Sequence, residues 1–272
     1  MSDGVKSVSE QVAPLPAGRA LVARIRCLSD NIVTLIHDPA TGATATIDVP
    51  DAAAVSALAG SLGWRITDIL VTHRHSDHIQ GVPSLRQTTG ARLVAPALAA
   101  DALPGADLVV AGGERFTLGS LGVEVIATPG HCADHVSFHV PDALSVACGD
   151  TLFKLGCGRV FDSTPETLWV SLQRLMALPA ETLVHCGHDY TLGNARFAAA
   201  VEPDSGPARE RLVQAEADAA AGRLTTLTTI GWERKANPFL RADEPAIAAA
   251  AGTPQGGPAE TFAALRAWKN RF

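Results

Sequence analysis

The stretch Thr72-His73-Arg74-His75-Ser76-Asp77-His78 restricts the fold of this chain more than any other, because it follows directly on the apolar run Ile69-Leu70-Val71. Imidazoles and carboxylates resist burial without partners, so these side chains need a strand end that opens onto something able to engage them. Side chains alternate along a strand. Continued past Val71, that register turns His73, His75 and Asp77 to one side, while His78 starts the next helix and points elsewhere. A polar loop at a strand end is the plain alternative, but an Asp-His pair added to His-x-His is rarely accidental.

Three more segments repeat the arrangement. Thr128-Pro129-Gly130-His131 follows the run Val123–Ala127, Gly149-Asp150-Thr151 follows Leu144–Ala147, and Cys186-Gly187-His188 follows Leu183–His185. Each sets one ligand-type residue past a strand end, beside a glycine that lets the backbone pass close to a neighbour. Singly each is weak. With the first cluster they supply five imidazoles and two carboxylates at sheet ends, enough for two metal ions.

Further β-branched runs at Leu21–Ile25, Ile32–Ile36, Thr44–Ile47, Leu93–Ala95 and Val136–Val140 are separated by turn residues. Helical patterns lie at Asp51–Leu62, Asp77–Gln87 and Thr164–Met176. The mixture predicts an α/β layered domain. After Tyr190 the strand signal stops, and Gly193–Val201, Pro207–Ala221 and Pro258–Lys269 read as helices. The expected organisation is a disordered extension over residues 1–18, an α/β domain over 19–190 and a helical module over 191–272.

Composition narrows the function. A net charge of −6 argues against a nucleic-acid backbone as partner. No apolar run reaches the ~20 residues that span a bilayer, and residues 1–18 hold no apolar signal core. The five cysteines are odd in number and form no CxxC pair, which suits free thiols in a reducing compartment. A cytoplasmic monomer is expected.

The H-x-H-x-D-H stretch, TPGH, GDT and GH together resemble the ligand motifs of the metallo-β-lactamase superfamily, in its order. Within it the chain is most similar to the glyoxalase II (hydroxyacylglutathione hydrolase) family. That likeness rests on Gly149–Phe153, Gly156-Cys157-Gly158-Arg159, Cys186–Thr191, Asn237–Arg241 and the terminal Arg266-x-x-Lys269, and runs from about residue 20 onward.

The resemblance implies an αββα sandwich followed by an all-helical C-terminal domain. It also implies two divalent ions, zinc first and iron or manganese as alternatives. His73, His75 and His131 would hold one ion, Asp77, His78 and His188 the other, and Asp150 would bridge them. The implied reaction is hydrolysis of a glutathione thioester such as S-lactoylglutathione by hydroxide formed between the ions. Asp150 and Asp77 are the catalytic candidates, Asp77 as a ligand that also accepts a proton. Arg159, Tyr190, Arg266 and Lys269 would bind glutathione, although a solvated helix face is the plain reading of the last two.

The chain departs from the family pattern at Cys132 (a small buried filler), at Asp189 (one carbon shorter than the usual Glu), at Phe161 (a Tyr in some relatives) and at Asn270 (expected to change helix-end charge only). His135, His139 and His185 are read as structural, with His135 best placed to orient a ligand. The rival readings are a mono-iron persulfide dioxygenase, a β-lactam or other thioester hydrolase, and a fold that has lost its chemistry.

Overall fold

The computed structural model describes residues 15–272. The extension expected over residues 1–18 lies outside the described residues up to position 14. Its remainder corrects the expectation, because Leu15–Ala17 is a strand, β1, paired with the next.

The first sheet takes its strands in chain order: β1, β2 (Ala20–Cys27), β3 (Asn31–His37), β4 (Thr44–Ile47), β5 (Asp68–Leu70), β6 (Arg92–Pro96) and β7 (Leu108–Val110). Pairing is antiparallel up to β4 and parallel from β4 to β7. Parallel neighbours need crossovers. Helix α1 (Ala52–Ser61) makes the first, and α2 (Ser76–Ile79) with α3 (Val82–Thr89) the second. The single helix expected over Asp77–Gln87 is therefore two. Gly81 donates its N–H to the Val49 carbonyl at 2.9 Å, and Pro83 has no N–H to continue the ladder.

The second sheet begins with β8 (Arg115–Leu118), β9 (Leu121–Ala127), β10 (Val136–Val140) and β11 (Ser145–Gly149). A short hairpin, β12 (Leu152–Phe153) with β13 (Gly156–Cys157), then leads to helix α4 (Pro165–Met176) and strand β14 (Leu183–Cys186). The Thr164 hydroxyl caps α4 as its sequence predicts, accepting from Thr167 N at 3.2 Å. Beyond β14 come α5 (Thr191–Val201), α6 (Gly206–Ala220), the strand β15 (Thr228–Thr229), α7 (Ile230–Ala236), α8 (Pro245–Ala250) and α9 (Pro258–Lys269). The sheet order is β15-β14-β11-β10-β9-β8, so the C-terminal region is helical except for one strand added to the β14 edge.

Side-chain alternation sorts the core into three layers. Val22, Ile36 and Leu70 of the first sheet meet Val123, Val125 and Phe138 of the second. The intervening residues Ile25, Val33, Leu35 and Ile69 face the other way, onto Val55 of α1 and Leu85 of α3. On the far side, Val146 and Val184 pack against Leu168 and Leu172 of α4 and against Phe197, Phe239 and Phe262 of the C-terminal helices. Helices thus cover both outer faces of two packed sheets, and α9 lies against α4 with the Trp169 and Phe262 rings 5.5 Å apart.

Candidate metal centre and substrate cleft

The motif residues gather at one end of the sandwich. His73, His75, Asp77 and His78 come from the segment after β5, His131 from the loop after β9, Asp150 from the end of β11 and His188 from the end of β14. His73 Nε2 and His131 Nε2 each lie 3.0 Å from His75 Nδ1. Beside them His78 Nε2 is 3.1 Å from His188 Nε2, and Asp77 Oδ2 is 3.4 Å from the latter. Asp150 stands between the groups, with Oδ2 3.5 Å from His131 Nε2 and 3.4 Å from His188 Nε2, and Oδ1 3.5 Å from His78 Nε2. His78 does not point away as the strand register suggests. Helix α2 starts at Ser76 and carries His78 back, so that its ring centre is 4.0 Å from that of His73.

The hydrogen bonds behind the rings fix which nitrogens are bare. His131 Nδ1 meets the Arg159 carbonyl at 2.9 Å, and a carbonyl only accepts, so Nδ1 carries the proton. His78 Nδ1 and His188 Nδ1 donate to the carboxylates of Asp48 and Asp30, both at 2.8 Å. The Thr72 hydroxyl gives its one proton to Asp48 at 2.8 Å and so accepts from His73 Nδ1 at 3.0 Å. In each of these four rings the outer nitrogen carries a proton, so that Nε2, the nitrogen turned into the cluster, is the one free to engage a cation. Nitrogens placed this way need a cation between them.

Two further features fit a metal. Asp150 Oδ1 is buried without a hydrogen-bond partner. A Cβ at Gly187 would lie 2.4 Å from that oxygen and 2.8 Å from His78 Cε1, so only glycine lets the backbone close over the site. The donor set of imidazole nitrogens and carboxylate oxygens suits divalent ions.

The electrostatics agree. Burial, then the neighbouring imidazoles, pushes the His73 pKa well down, and burial lowers His131 as well. Burial opposes charge on His188, but hydrogen bonds to Asp150 and Asp77 overcome it and raise the imidazole to about 11. His78 is also raised, the Asp150 and Asp48 carboxylates outweighing burial. Asp150 is held below the usual carboxylate range by His78 and His188 despite its burial, and Asp77 by its contact with His188 and by Asn31. The carboxylates on this side therefore demand a cation at the Nε2 positions, a proton or a metal ion.

His135 lies behind the centre. Its Nε2 accepts from Asp150 N at 3.0 Å while burial holds its pKa down to about 3, so a neutral imidazole orients the bridging residue. Cys132 is buried, and burial together with Asp134 pushes its thiol up, the opposite of a metal-binding thiolate. Asp189 accepts from Arg26 at 2.6 Å and from the Thr225 hydroxyl at 2.9 Å, fastening the first sheet to the segment after α6.

A cleft of about 630 Å³ opens from the centre, and its walls include His75, Asp77, His131, Asp150 and His188 together with Arg159, Tyr190 and Lys269. The Tyr190 ring stacks on His188 at 5.0 Å. Lys269 donates to the Gly193 carbonyl at 2.7 Å, leaving two of its three protons for other partners. Exposed Phe161 stands edge-on to His75 and His131, with ring centres 5.4 and 5.2 Å away. Arg266 also borders the cleft but is buried, with Nη1 on the Cys157 carbonyl at 2.8 Å and Nε on Asn270 Oδ1 at 3.2 Å. Asn270 thus does more than alter helix-end charge: it holds Arg266.

Asp48, Asp30 and Asn31 were not among the residues singled out by sequence. Asp48 shows the same signal as the others, an acidic side chain one residue past the strand Thr44–Ile47, whereas Asp30-Asn31 reads as an ordinary turn.

Sandwich and site together define a class. Residues 34–188 match the family described as Metallo-beta-lactamase superfamily, and residues 189–272 match Hydroxyacylglutathione hydrolase C-terminus. A hydroxyacylglutathione hydrolase of Methylobacterium sp. (strain 4-46) is 55% identical over 90% of this chain and 97% of its own length. One of Rhodopseudomonas palustris (strain BisA53) is 46% identical over 92% of this chain and 100% of its own length. The chain belongs to the hydroxyacylglutathione hydrolase family of that superfamily. Among solved structures, ETHE1 from Myxococcus xanthus superposes with a TM-score of 0.65 at 27% identity, covering 90% of this chain and 89% of its own. TTHA1623, solved in a di-iron-bound form, gives 0.52 at 26% identity over 84% of this chain and 98% of its own. No helix among the described residues is long and apolar enough to cross a membrane.

Proposed function

We propose that this protein hydrolyses glutathione thioesters, S-lactoylglutathione among them, at a centre of two divalent ions. The observation that carries the reading is a single cleft that shares its walls between the clustered imidazoles and carboxylates and the cations Arg159 and Lys269. His73, His75 and His131 would hold one ion and Asp77, His78 and His188 the other, with Asp150 between. The names of the relatives support the substrate class, and the di-iron form of TTHA1623 supports the ion count. Zinc is the first assignment, iron the second.

When bound, such ions make water nucleophilic near neutral pH and polarise the thioester carbonyl. The chain's own residues hold and orient. Asp48, Asp30, Thr72 and the Arg159 carbonyl hold His78, His188, His73 and His131 in the tautomer that leaves Nε2 for a metal. Asp77 is assigned to ligation, because a carboxylate held below its usual range is a weak base at neutral pH. Lys269 and Arg159 read the glutathione carboxylates, with Tyr190 beside them, and residues 191–272 form the substrate-binding module. The departing thiolate needs no strong acid, since an ordinary thiol has a pKa near roughly 8.5.

Steady-state rates on S-lactoylglutathione and on a small thioester lacking the tripeptide test the reading. A kcat/KM that favours the glutathione thioester supports it, and equal values or no turnover of either would sink it.

Two further outcomes follow. Lys269 is brought down to about 8 by burial and by the cations Arg266 and Arg159, so it is charged below that pH and loses its charge above it. KM for the glutathione thioester should rise as pH passes 8. Lys269→Ala should raise KM about 10- to 150-fold with kcat mostly kept, the effect of one charge-assisted hydrogen bond made equally in ground and transition states. A KM flat in pH and unchanged in the variant would count against Lys269 as a reader of substrate.

The second outcome concerns protons. His188 is raised to about 11 in the metal-free protein, so at pH 7 a proton occupies a position that a metal must take. Zinc uptake at that pH should release on the order of one proton per chain from this site, measurable by pH-stat. Uptake without release would mean that His188 is not a ligand.

A further inference from the structure

Arg266 borders the cleft, yet its Nη1 and Nε donate to the protein itself. Its Nη1 reaches two successive carbonyls, of Cys157 at 2.8 Å and Gly158 at 3.3 Å, and the guanidinium carbon lies 5.2 Å from the centre of the Phe239 ring. The next carbonyl along, that of Arg159, is the one that fixes His131 Nδ1 at 2.9 Å. We infer that Arg266 is a positioning residue for His131: it clamps segment 157–159 from behind, so that the Arg159 carbonyl sets the ring that would bind the first ion. The inference rests on His131 being a metal ligand.

The segment has little freedom of its own. Gly158 N donates to the Thr151 carbonyl at 3.2 Å and Phe161 N to the His131 carbonyl at 3.1 Å. A Cβ at Gly158 would lie 2.0 Å from the Asp150 carbonyl oxygen and 3.2 Å from His131 Cβ, so the backbone runs directly against two of the proposed ligands. A shift of residues 157–159 therefore moves His131 and crowds Asp150. Arginine suits the task because its charged, planar fork can serve neighbouring carbonyls, and its removal leaves buried oxygens without a donor. Asn270 completes the arrangement by accepting from Nε.

This reading separates Arg266 from Lys269, which lies on the same last turn of α9. A residue that reads substrate shows itself in KM. One that sets a ligand shows itself in metal affinity and kcat.

The test uses the full chain as Arg266→Gln and Arg266→Lys, each stripped of metal and titrated with cobalt(II) against a competing chelator. Lys269→Ala is run alongside. Arg266→Gln should bind one of two ions about 10- to 100-fold more weakly, as supporting residues behind metal ligands do. Its kcat should fall with KM within about threefold. Arg266→Lys should recover part of the affinity. Combining Arg266→Gln with His131→Asn should add little to the loss from His131→Asn alone, because both act on one ligand. If Arg266→Gln does not fold, the same comparison is made on Arg266→Lys, which must then show the weaker ion and the lower kcat. Wild-type affinity for both ions together with a raised KM overturns the inference and returns Arg266 to substrate binding. A wild-type protein that takes up fewer than two ions overturns the dinuclear reading instead.

Discussion

Asp150→Ala should abolish turnover and empty the metal centre in one step. Asp150 is the only one of the proposed ligands whose oxygens approach imidazoles of both groups, His131 on one side and His78 and His188 on the other. It is buried, and one of its oxygens has no hydrogen-bond partner, so nothing else in the protein replaces what it offers a cation. Its loss also removes the charge that counters His78 and His188, and in acid the uncompensated imidazoles would repel metal further. The expected result is metal content of one ion or fewer and a kcat lower by on the order of 10³-fold or more, as for a part of a unit rather than an independent contribution. Elemental analysis and single-turnover kinetics on the same preparation measure both. Retention of both ions with near-normal kcat would end the dinuclear assignment.

The second large effect is expected at Asp48, by an exchange of one atom. Its Oδ1 accepts from Thr72 N at 2.7 Å, and its Oδ2 accepts from the Thr72 hydroxyl and from His78 Nδ1, both at 2.8 Å. In Asp48→Asn the amide oxygen can stay on Thr72 N only if the NH₂ faces His78. It then donates to Nδ1 and moves the ring's proton to Nε2, the nitrogen meant for metal. The backbone is not at issue, since Asp48 has φ of 57° and asparagine tolerates that region at least as well. Metal affinity should fall about 10- to 100-fold and kcat with it, while the fold survives. Asp48→Ala should in addition destabilise the protein by about 3 kcal/mol or more, because hydrogen bonds to a charged group are worth roughly 1.5–3 kcal/mol each. Chelator competition and thermal unfolding separate the two effects. If Asp48→Asn binds both ions as tightly as the natural protein, tautomer control at His78 is not needed for metal binding.

What the sequence reveals of this fold follows from how each strand is buried. Strands β2, β3, β4, β10 and β14 lie inside their sheets and are apolar enough to be read directly. Strands β1, β7, β8 and β15, which are not readable, all lie at sheet edges. An edge strand has one partner and a short ladder, so three residues such as Leu108–Val110, or two such as Thr228–Thr229, suffice and leave no period to detect.

The site divides along a similar line. The proposed ligands were legible because imidazoles and carboxylates past apolar strands have no cheaper explanation. Asp48 was open to the same argument but stands alone, without a second ligand-type neighbour. The role of Arg266 was not legible, because its partners are carbonyl groups more than a hundred residues away, |i−j| of 109 and 108, and carbonyls carry no sequence signal.

The proposed ligands are shared between the sheets. The first sheet's segment after β5 supplies His73, His75, Asp77 and His78, and the second sheet supplies His131, Asp150 and His188. Neither ion would be held by one sheet alone. The centre thus acts as a gauge of registration: sliding one half of the sandwich over the other by a fraction of an ångström would spread both ligand sets at once. A volume change at Phe138, fully buried between the sheets, should then register in metal affinity before it registers in substrate affinity.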